Sequence, residues 1–534
     1  MDHGVFDYII VGAGSAGCLL ANRLTQNPNN NVLLLEAGAK DDYIWVHIPV
    51  GYLYCIDNPR TDWQFKTDPI KGLHERSLLY PRGKILGGSS SINGMIYMRG
   101  QSQDYDDWAS NTGESDWSWS ASLERYKKFE NYYGGTNEWH GVGGEWEVSQ
   151  QRLNWQILEK FKNAAIQSGV SEVKDFNQGN NLGVGYFDVN QKNGWRLNTA
   201  KAFLTKASKR PNLTLITGAY VDHLEIDPVT KRCKGVHFIG GGHSHSATCA
   251  KEILLSAGSI GSVQILERSG IGQGSRLQEL GIPVTQDLPG VGENLQDHLQ
   301  LRMIFQVSGI KTLNTMANHW FGKAKIGLEY LFKRTGPMSM APSQLGLFTM
   351  SSPEYSRPNL QYHVQPLSLD RFGEDLHPFN AFTASVCNLR PTSRGSVHIT
   401  SRDVMAKPSI KPNYLSTIED QKVAVQAIRI TRNIVSQSAL QPYMPTEIKP
   451  GVALQSDEEL IYSAGDIGTT IFHPAGTCKM GSEKDPTAVL DGDLRVRGVV
   501  GLRVVDASVM PSITSGNTAA PTMMIAERVA SLLK

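Results

Sequence analysis

The stretch FDYIIVGAGSAGCLLANRLTQNPNNNVLLLEAG, residues 6–38, contains all the parts of a βαβ unit. Residues 6–11 form a short apolar run of the kind that builds a buried parallel strand. Small and apolar residues then recur at helical spacing from 15 to about 26, where Asn-Pro ends the pattern. A second apolar run, 31–35, is followed by an acidic residue. The chain is therefore predicted to begin with an α/β fold of the Rossmann type.

The turn between the first strand and the helix has glycines in G-x-G-x-x-G spacing. Gly12 permits a tight turn, Gly14 lets the backbone approach a pyrophosphate, and Gly17 lets the helix pack closely on the strand. The helix N-terminus then faces the phosphates. Glu36 can accept hydrogen bonds from ribose hydroxyls and would repel a 2′-phosphate. These features predict a dinucleotide site and leave FAD and NAD undecided.

Size and charge limit the remaining possibilities. A chain of 534 residues predicts two domains, and a net charge of +1 argues against nucleic acid or an anionic membrane as the main partner, although a local patch stays open. No apolar run is long enough to span a membrane, and acids stand where a signal peptide has its basic region. We expect a cytoplasmic protein and leave loose attachment to a membrane face open.

Two other segments are rich in potential ligand-binding groups. Residues 80–100, YPRGKILGGSSSINGMIYMRG, lack the lysine of a P-loop but offer bare backbone N–H groups and hydroxyls. By itself this segment fits either a surface turn or a wall against a flat ring. The tail is predicted to form a strand at 502–506 and a helix at about 522–533. Asn517 and Thr518 precede that helix, where backbone donors gather.

IFHPAGTCKMG, residues 471–481, contains a histidine with several alternative roles. A lone histidine is most often a structural residue. A zinc site made by His473 and Cys478 lacks further spaced ligands, so no metal is expected. A Cys–His hydrolase is equally unsupported, because nothing activates the thiol. A general base is a further possible role, since an imidazole titrates near neutral pH, and the stretch by itself does not decide between these roles.

Taken together, these motifs resemble one family nearly from end to end. The residues that carry the resemblance are the N-terminal glycine motif with Glu36, RGKILGGSSSIN (82–93), GSIGSVQILERSGIG (258–272), LPGVGENLQDH (288–298), HPAGTCKMG (473–481) and GNTAAPTMMIAE (516–527). The chain resembles the glucose–methanol–choline (GMC) family of FAD-dependent oxidoreductases. Within it, the chain is most similar to bacterial dehydrogenases of aliphatic primary alcohols and next to choline dehydrogenases. Val263 departs from a proline that the family usually has.

The resemblance implies an α/β fold with two domains. An FAD-binding Rossmann-like domain would comprise residues 1–155, 200–312 and 460–534. A second, α+β substrate-binding domain built on an antiparallel sheet would comprise residues 156–199 and 313–459. Runs with prolines such as SRPNLQYHVQPLS suit such a sheet, which would cover the flavin.

The resemblance also implies the site residues. His473 would be the catalytic base that takes the hydroxyl proton, Asn517 would help to stabilise the alkoxide, and flavin N5 would accept the hydride. The residues expected to bind FAD are Gly12, Gly14, Ser15, Gly17, Glu36, Ala37, Trp63, Arg82, Leu86, Gly87, Ser90, Asn93, Gly94, Met95, Val221, Ala257, Asp506, Ala507, Asn517 and Thr518. Ile92 stands where choline oxidase has the histidine that anchors its flavin, which predicts non-covalent FAD.

The expected substrate pocket comprises Gln344, Leu345 and Phe472. Gln344 is aligned with a glutamate of choline-oxidising relatives, and its neutral amide disfavours a trimethylammonium group. The predicted reaction is oxidation of a non-ionic primary alcohol, medium-chain aliphatic or aryl, to the aldehyde. The alternatives are choline dehydrogenase-like oxidation and a flavin-bearing lyase of the hydroxynitrile lyase or decarboxylase type. The electron acceptor, quinone or O2, is not specified by any motif, and the subgroup resemblance favours a dehydrogenase.

Overall fold

The structure is a computed structural model that describes residues 1–370 and 374–533. Its helices, numbered along the chain, are α1 Ser15–Leu24, α2 Ile44–His47, α3 Tyr52–Cys55, α4 Ser102–Thr112, α5 Trp119–Phe129, α6 Gln156–Gln167, α7 Thr205–Ala207, α8 Gly258–Arg268, α9 Gly274–Glu279, α10 Leu313–Ala317, α11 Trp320–Lys333, α12 Ile418–Val435, α13 Asp457–Ile467 and α14 Ala519–Leu532. Within the described parts of the chain, none of them combines the length and apolar character needed to cross a bilayer.

The strands are likewise numbered along the chain. They are β1 Asp2–Val11, β2 Val32–Glu36, β3 Glu130–Tyr132, β4 Trp146–Val148, β5 Gly183–Tyr186, β6 Gln191–Lys192, β7 Trp195–Arg196, β8 Leu213–Thr217, β9 Tyr220–Ile226, β10 Cys233–Gly240, β11 His243–Leu255, β12 Ile271–Gly272, β13 Gln286–Asp287, β14 Leu299–Gln306, β15 Leu345–Thr349, β16 Leu360–Gln365, β17 Ala381–Asn388, β18 Ser396–His398, β19 Ser409–Lys411, β20 Thr446–Lys449, β21 Gly468–Thr470 and β22 Leu502–Val504.

The first large sheet has the order β8-β2-β1-β11-β10-β9, with β22 beside β11. Strands β8, β2, β1, β11 and β22 are parallel, whereas β10 and β9 form an antiparallel extension. Ile10 pairs with Leu34 on β2 and Leu254 on β11, and all three side chains are fully buried. Such burial on both faces explains why β1 and β2 are continuous apolar runs. The predicted βαβ unit is confirmed.

The second large sheet is antiparallel, with the order β20-β14-β17-β16-β15-β5 and β21 beside β14. Along β14, Leu301, Met303 and Phe305 enter a hydrophobic core shared with α6, α12 and α13. The alternate residues Gln300 and Arg302 face a cavity on the other side. The predicted fold class, a Rossmann-like domain with an antiparallel second sheet, is confirmed.

The two sheets draw on interleaved parts of the chain. The parallel sheet takes strands from both ends and the middle of the sequence, as the predicted division into domains requires. However, β14 and β21 lie in segments assigned by that prediction to the FAD-binding domain, and both pair within the second sheet. The residue boundaries of the two domains therefore remain a proposal.

Candidate active site

A cavity of about 320 Å³ lies between the carboxyl ends of the parallel strands and one face of the antiparallel sheet. This is the edge at which α/β sheets bind ligands. The predicted site residues that line the cavity are Gly12, Gly14, Ser15, Glu36, Ala37, Trp63, Arg82, Ser90, Asn93, Gly94, Met95, Val221, Ala257, Phe472, His473, Asp506, Ala507, Asn517 and Thr518. Residues from distant parts of the sequence thus line one cavity.

The turn after β1 has the bare backbone that a diphosphate requires. Gly12 has φ +100°, and a Cβ there would come within 2.6 Å of the Ser256 carbonyl oxygen. A Cβ on Gly88 would come within 2.7 Å of Gly14 Cα, so two glycine segments meet at the cavity wall. The Ser256 hydroxyl also lines the cavity, is buried and has no partner in the described chain. These features fit a dinucleotide cofactor.

Glu36 is held rigidly at the end of β2. Its Oε2 accepts a hydrogen bond from Ala13 N and its Oε1 accepts one from Gly38 N, both at 2.8 Å. Burial raises the pKa of Glu36 to about 7, even though the two backbone donors act in the opposite direction. The carboxyl group lines the cavity. Hydroxyls of a ribose could donate to it there, as the sequence predicts.

Three predicted FAD-binding residues lie outside the cavity lining. Gly17 supports the site indirectly, because a Cβ there would be 1.9 Å from the Gly12 carbonyl oxygen and would force α1 away from β1. Leu86 is part of the hydrophobic core of the parallel sheet. Gly87, at φ +89°, donates its N–H to the Ala13 carbonyl and accepts from Ser90 Oγ. These three residues support the cavity wall without lining the cavity.

The structure also places Gln344 and Leu345 away from the cavity, contrary to the predicted pocket. Gln344 is fully buried, and its Nε2 donates to the Leu153 carbonyl at 3.0 Å. Leu345 packs in the core on the far face of the antiparallel sheet. Their neighbours Pro342 and Ser343 line the cavity instead. Strand β15 begins at Leu345, so the chain leaves the cavity lining at Ser343, immediately before the two residues predicted to lie in the pocket.

His473 and Asn517 are in direct contact, although 44 residues separate them. Asn517 Nδ2 donates to His473 Nε2 at 3.0 Å. On its other side, His473 Nδ1 is 3.1 Å from Nδ1 of His298, a residue that the sequence analysis did not assign to the site. His298 Nε2 lies 3.2 Å from the Leu389 carbonyl, which can only accept.

These hydrogen bonds determine which ring nitrogen of His298 and of His473 carries the proton. Because His298 Nε2 must donate to the Leu389 carbonyl, neutral His298 accepts at Nδ1. His473 Nδ1 then carries its proton and donates it to His298. The lone pair of His473 is consequently on Nε2, next to the Asn517 amide.

Burial lowers the pKa of His473 well below its usual value, and the nearby His298, His363 and Arg82 lower it further. His298 shows the same effect, its pKa lowered by burial to about 4. Both imidazoles are therefore neutral at neutral pH. A neutral histidine next to an amide donor can remove a proton and stabilise the oxygen that remains.

The loop that carries His473 is fixed by a buried carboxylate. Asp297 Oδ1 accepts from His473 N at 2.8 Å, and its Oδ2 accepts from Tyr80 at 2.8 Å and from Thr470 at 2.6 Å. Phe472 has φ +68°, and its carbonyl accepts from Arg82 Nη2 at 2.6 Å. A non-glycine residue is held in this unusual conformation only where the surroundings compensate. The imidazole is thereby aimed at the cavity.

The antiparallel sheet contributes polar side chains that the sequence analysis missed. Gln300 and Arg302 on β14, and His363 and Gln365 on β16, line the cavity. Within the described chain, Arg302 Nε and Nη2 and His363 Nε2 have no hydrogen-bond partner. Burial lowers the pKa of His363 to about 3. The detectable signal was polar residues at alternate positions of strands whose other residues are apolar.

The parallel sheet, its glycine-lined turn and the buried histidine–amide pair define a dinucleotide-dependent enzyme. Comparison with protein families identifies the family to which this enzyme belongs. The N-terminal GMC oxidoreductase family model matches residues 6–300 and the C-terminal one matches residues 391–526. The chain belongs to the GMC oxidoreductase family, whose members are FAD-dependent flavoproteins. It is an oxidoreductase acting on CH–OH donors.

Curated relatives match over almost the whole chain. Alcohol dehydrogenase [acceptor] of Pseudomonas putida is 40% identical over 533 residues, covering 99% of this chain and 96% of the relative. Oxygen-dependent choline dehydrogenase 1 of Chromohalobacter salexigens is 42% identical over 534 residues, covering 99% and 95%. Near-equal similarity to both supports a family-level activity on alcohols and does not specify the substrate.

Solved structures agree with this assignment. Pyridoxine 4-oxidase from Mesorbium loti matches with a TM-score of 0.89 and 29% identity, covering 99% of each chain. Formate oxidase matches with a TM-score of 0.93 and 25% identity, covering 100% of this chain and 99% of the other.

Proposed function

We propose that this protein oxidises a non-ionic primary alcohol, medium-chain aliphatic or aryl, to the aldehyde, with His473 as the base. The observation that carries the proposal is the contact of 3.0 Å between His473 Nε2 and Asn517 Nδ2 at the cavity surface. The tautomer set by His298 places the lone pair of His473 on Nε2, which can take a hydroxyl proton once the Asn517 amide turns from it to the alcohol oxygen. As the alcohol oxygen gains negative charge, protonated His473 and the Asn517 amide become its donors.

The chain's own residues would hold FAD from several sides. The glycine turn after β1 would take the pyrophosphate, Glu36 the ribose hydroxyls, and the segment 88–95 together with the N-terminus of α14 the ring system. Bound there, FAD supplies the acceptor for the hydride that leaves the carbinol carbon. The protein's task is to position the alcohol and remove its proton.

We further propose that FAD is held without a covalent bond. Ile92 lines the cavity, and its aliphatic side chain has no nucleophilic atom to join the ring. Acid precipitation of the purified holoenzyme is therefore expected to release all of the flavin into the supernatant. Yellow colour that stays with the washed precipitate would contradict this proposal.

The charge of the cavity supports a neutral substrate over choline, the main alternative. Arg302 places a guanidinium at the cavity wall, and a guanidinium keeps its charge at neutral pH. The carboxylates among the described lining residues are Glu36 and Asp506. Both already accept backbone hydrogen bonds at the cofactor end of the cavity. A trimethylammonium group would meet a like charge and no free anion.

The test is anaerobic reduction of the flavin by a panel of alcohols, followed by admission of air. Primary alcohols are expected to bleach the flavin absorbance, and 3,3-dimethylbutan-1-ol, the uncharged analogue of choline, should be oxidised more efficiently than choline. His473→Ala should slow reduction about 10²–10⁴-fold with FAD retained. His243→Ala, at the exposed first residue of β11, is the matched control and should be unaffected.

Two results of this experiment would contradict the proposed function. Turnover of a substrate without any net flavin reduction would favour the lyase alternative. Equal efficiency on choline and its uncharged analogue would overturn the non-ionic assignment. Reoxidation on admitting air distinguishes O2 from a quinone as acceptor. We propose a cytoplasmic dehydrogenase that reduces a quinone, since the subgroup resemblance favours a dehydrogenase.

A further inference from the structure

Helix α11, Trp320–Lys333, has an unusual surface. Large apolar side chains project from it into solvent, with Trp320 69% and Phe332 79% exposed. At about 100° per residue, its exposed apolar residues fall within an arc of about 120°. These residues, which we name the α11 stripe, are Trp320, Phe321, Ala324, Leu328, Leu331 and Phe332. Isolated exposed apolar residues are ordinary, whereas a contiguous stripe on one helix marks an interaction surface.

The opposite side of α11 is anchored firmly to the rest of the protein. Tyr330 is buried, packs against Trp195 and donates its hydroxyl to the Gly194 carbonyl at 2.9 Å. The Arg334 guanidinium stacks over Trp195 at 4.3 Å. Ile326 packs against the core of the antiparallel sheet. The helix therefore presents the α11 stripe outward from a fixed position.

Positive charge surrounds the stripe. Residues 311–335 contain five basic residues and one acidic residue, although the whole chain carries a net charge of only +1. Lys325 lies at one border of the stripe and Lys323 at the other, and both are exposed. In the described residues, no salt bridge involves Lys323, Lys325 or Lys333. An apolar face with Trp, Phe and Leu, bordered by lysines, is typical of helices that lie in a bilayer interface.

We infer that α11 docks this protein on an anionic lipid surface, with the α11 stripe entering the acyl region and its lysines contacting the headgroups. A second protein copy would bury the stripe equally well, but the flanking lysines of two symmetric copies would then repel each other. Anionic headgroups neutralise those lysines. Charge complementarity therefore favours the bilayer.

The position of α11 gives this docking a functional meaning, which rests on the proposed function. After α11 the chain passes through a 3-10 turn, Pro337–Ser339, to Pro342 and Ser343, which line the cavity. A bilayer bound at α11 would thus lie next to a wall of the active site. Lipid-soluble acceptors and alcohols are concentrated in the bilayer, so docking would shorten their path.

The experiment is flotation of the purified holoenzyme with vesicles of phosphatidylcholine, with or without phosphatidylglycerol. The wild type is expected to float with the phosphatidylglycerol vesicles and to be released by high salt. Phe321→Asp combined with Phe332→Asp should weaken binding about tenfold or more. The matched control is Val229→Asp combined with Ile418→Asp, two apolar residues that are also strongly exposed but lie elsewhere; it should bind like the wild type.

Two further variants test the parts of the proposal separately. Changing Lys323, Lys325 and Lys333 to Gln should weaken binding to phosphatidylglycerol vesicles by about fivefold for each lysine. Brominated lipids should quench a fluorescence component that is lost in Trp320→Phe, which reports insertion of the stripe itself. Sedimentation equilibrium shows whether any variant changes the oligomeric state.

Several outcomes would overturn the inference: no flotation of the wild type, equal loss in the control variant, or an α11 variant that dissociates an oligomer while vesicle binding is absent. Oxidation of a water-soluble alcohol with a dye acceptor should be unchanged in every variant, which verifies folding. If no alcohol is oxidised but the wild type floats, the proposed function fails and the docking stands. The two conclusions can therefore be separated.

Discussion

The pair His473 and His298 shows how much chemistry a single hydrogen bond can determine. His298 Nδ1 can accept from His473 because its own Nε2 donates to a backbone carbonyl. The tautomer that exposes the Nε2 lone pair of His473 is thereby selected before any substrate arrives. His298 does not line the cavity in the described chain, so its effect on the reaction would pass through His473.

At this scale we predict that His298→Ala slows flavin reduction about tenfold, with FAD retained, since His473 would lose the acceptor that fixes its tautomer. His298→Asn, whose amide oxygen can still accept, should recover part of the rate. The acid limb of the pH–rate profile should also shift in the alanine variant. A merely structural role would give equal losses in both variants and an unshifted profile.

Some residues of the site could be predicted from sequence and others could not. The contact between His473 and Asn517, far apart in the chain, agrees with the expectation that the two share a site. Gln300 and Arg302 were missed because alternating polar residues usually indicate a solvent-facing side of a strand. Here that side of the strand faces an internal cavity. The sequence alone does not show whether a polar side chain faces a bound ligand or the solvent.

At the scale of elements, the packing of α1 on β1 depends on one missing side chain. A Cβ at Gly17 would approach the Gly12 carbonyl oxygen to 1.9 Å, so any substitution must move the helix or the glycine turn. The βαβ unit was predictable because its glycine spacing has a direct geometric reason. The pocket positions Gln344 and Leu345 were not, because the cavity lining ends at Ser343, immediately before them, and a sequence does not show where a chain leaves a cavity wall.

We therefore expect Gly17→Ala to lower the free energy of unfolding by about 1–3 kcal/mol and to reduce FAD retention after gel filtration. Gly327→Ala on α11 is the matched control. It is also a helical glycine, but nothing lies within 4 Å of its added Cβ. It should raise stability by about 0.5–1 kcal/mol. Similar effects of the two substitutions in chemical unfolding would contradict the packing argument.

At the scale of the whole molecule, three buried histidines gather where the two sheets meet. His298 precedes β14, His363 lies on β16 and His473 follows β21. Burial lowers the pKa of each one, to about 4 for His298 and about 3 for His363. In the unfolded chain each returns to about 6.5. Between these values the unfolded state binds more protons than the folded state.

Stability should consequently fall as the pH is lowered from about 6.5 towards 4. Each of these histidines contributes up to about 1.4 kcal/mol per pH unit in that range. Above pH 6.5 their contribution is fully present and no longer changes. Urea unfolding across this range measures the slope, and His363→Asn should reduce it. An unchanged slope in that variant would show that other groups control acid sensitivity.

The alternation along β14 has a practical consequence for enzyme engineering. Leu301, Met303 and Phe305 build hydrophobic core, while the interleaved Gln300 and Arg302 line the cavity. A mutant library confined to Gln300, Arg302, His363 and Gln365 would therefore change the cavity surface and leave the hydrophobic core of the antiparallel sheet intact. Evolution has had the same freedom, which would allow one architecture to acquire many alcohols as substrates.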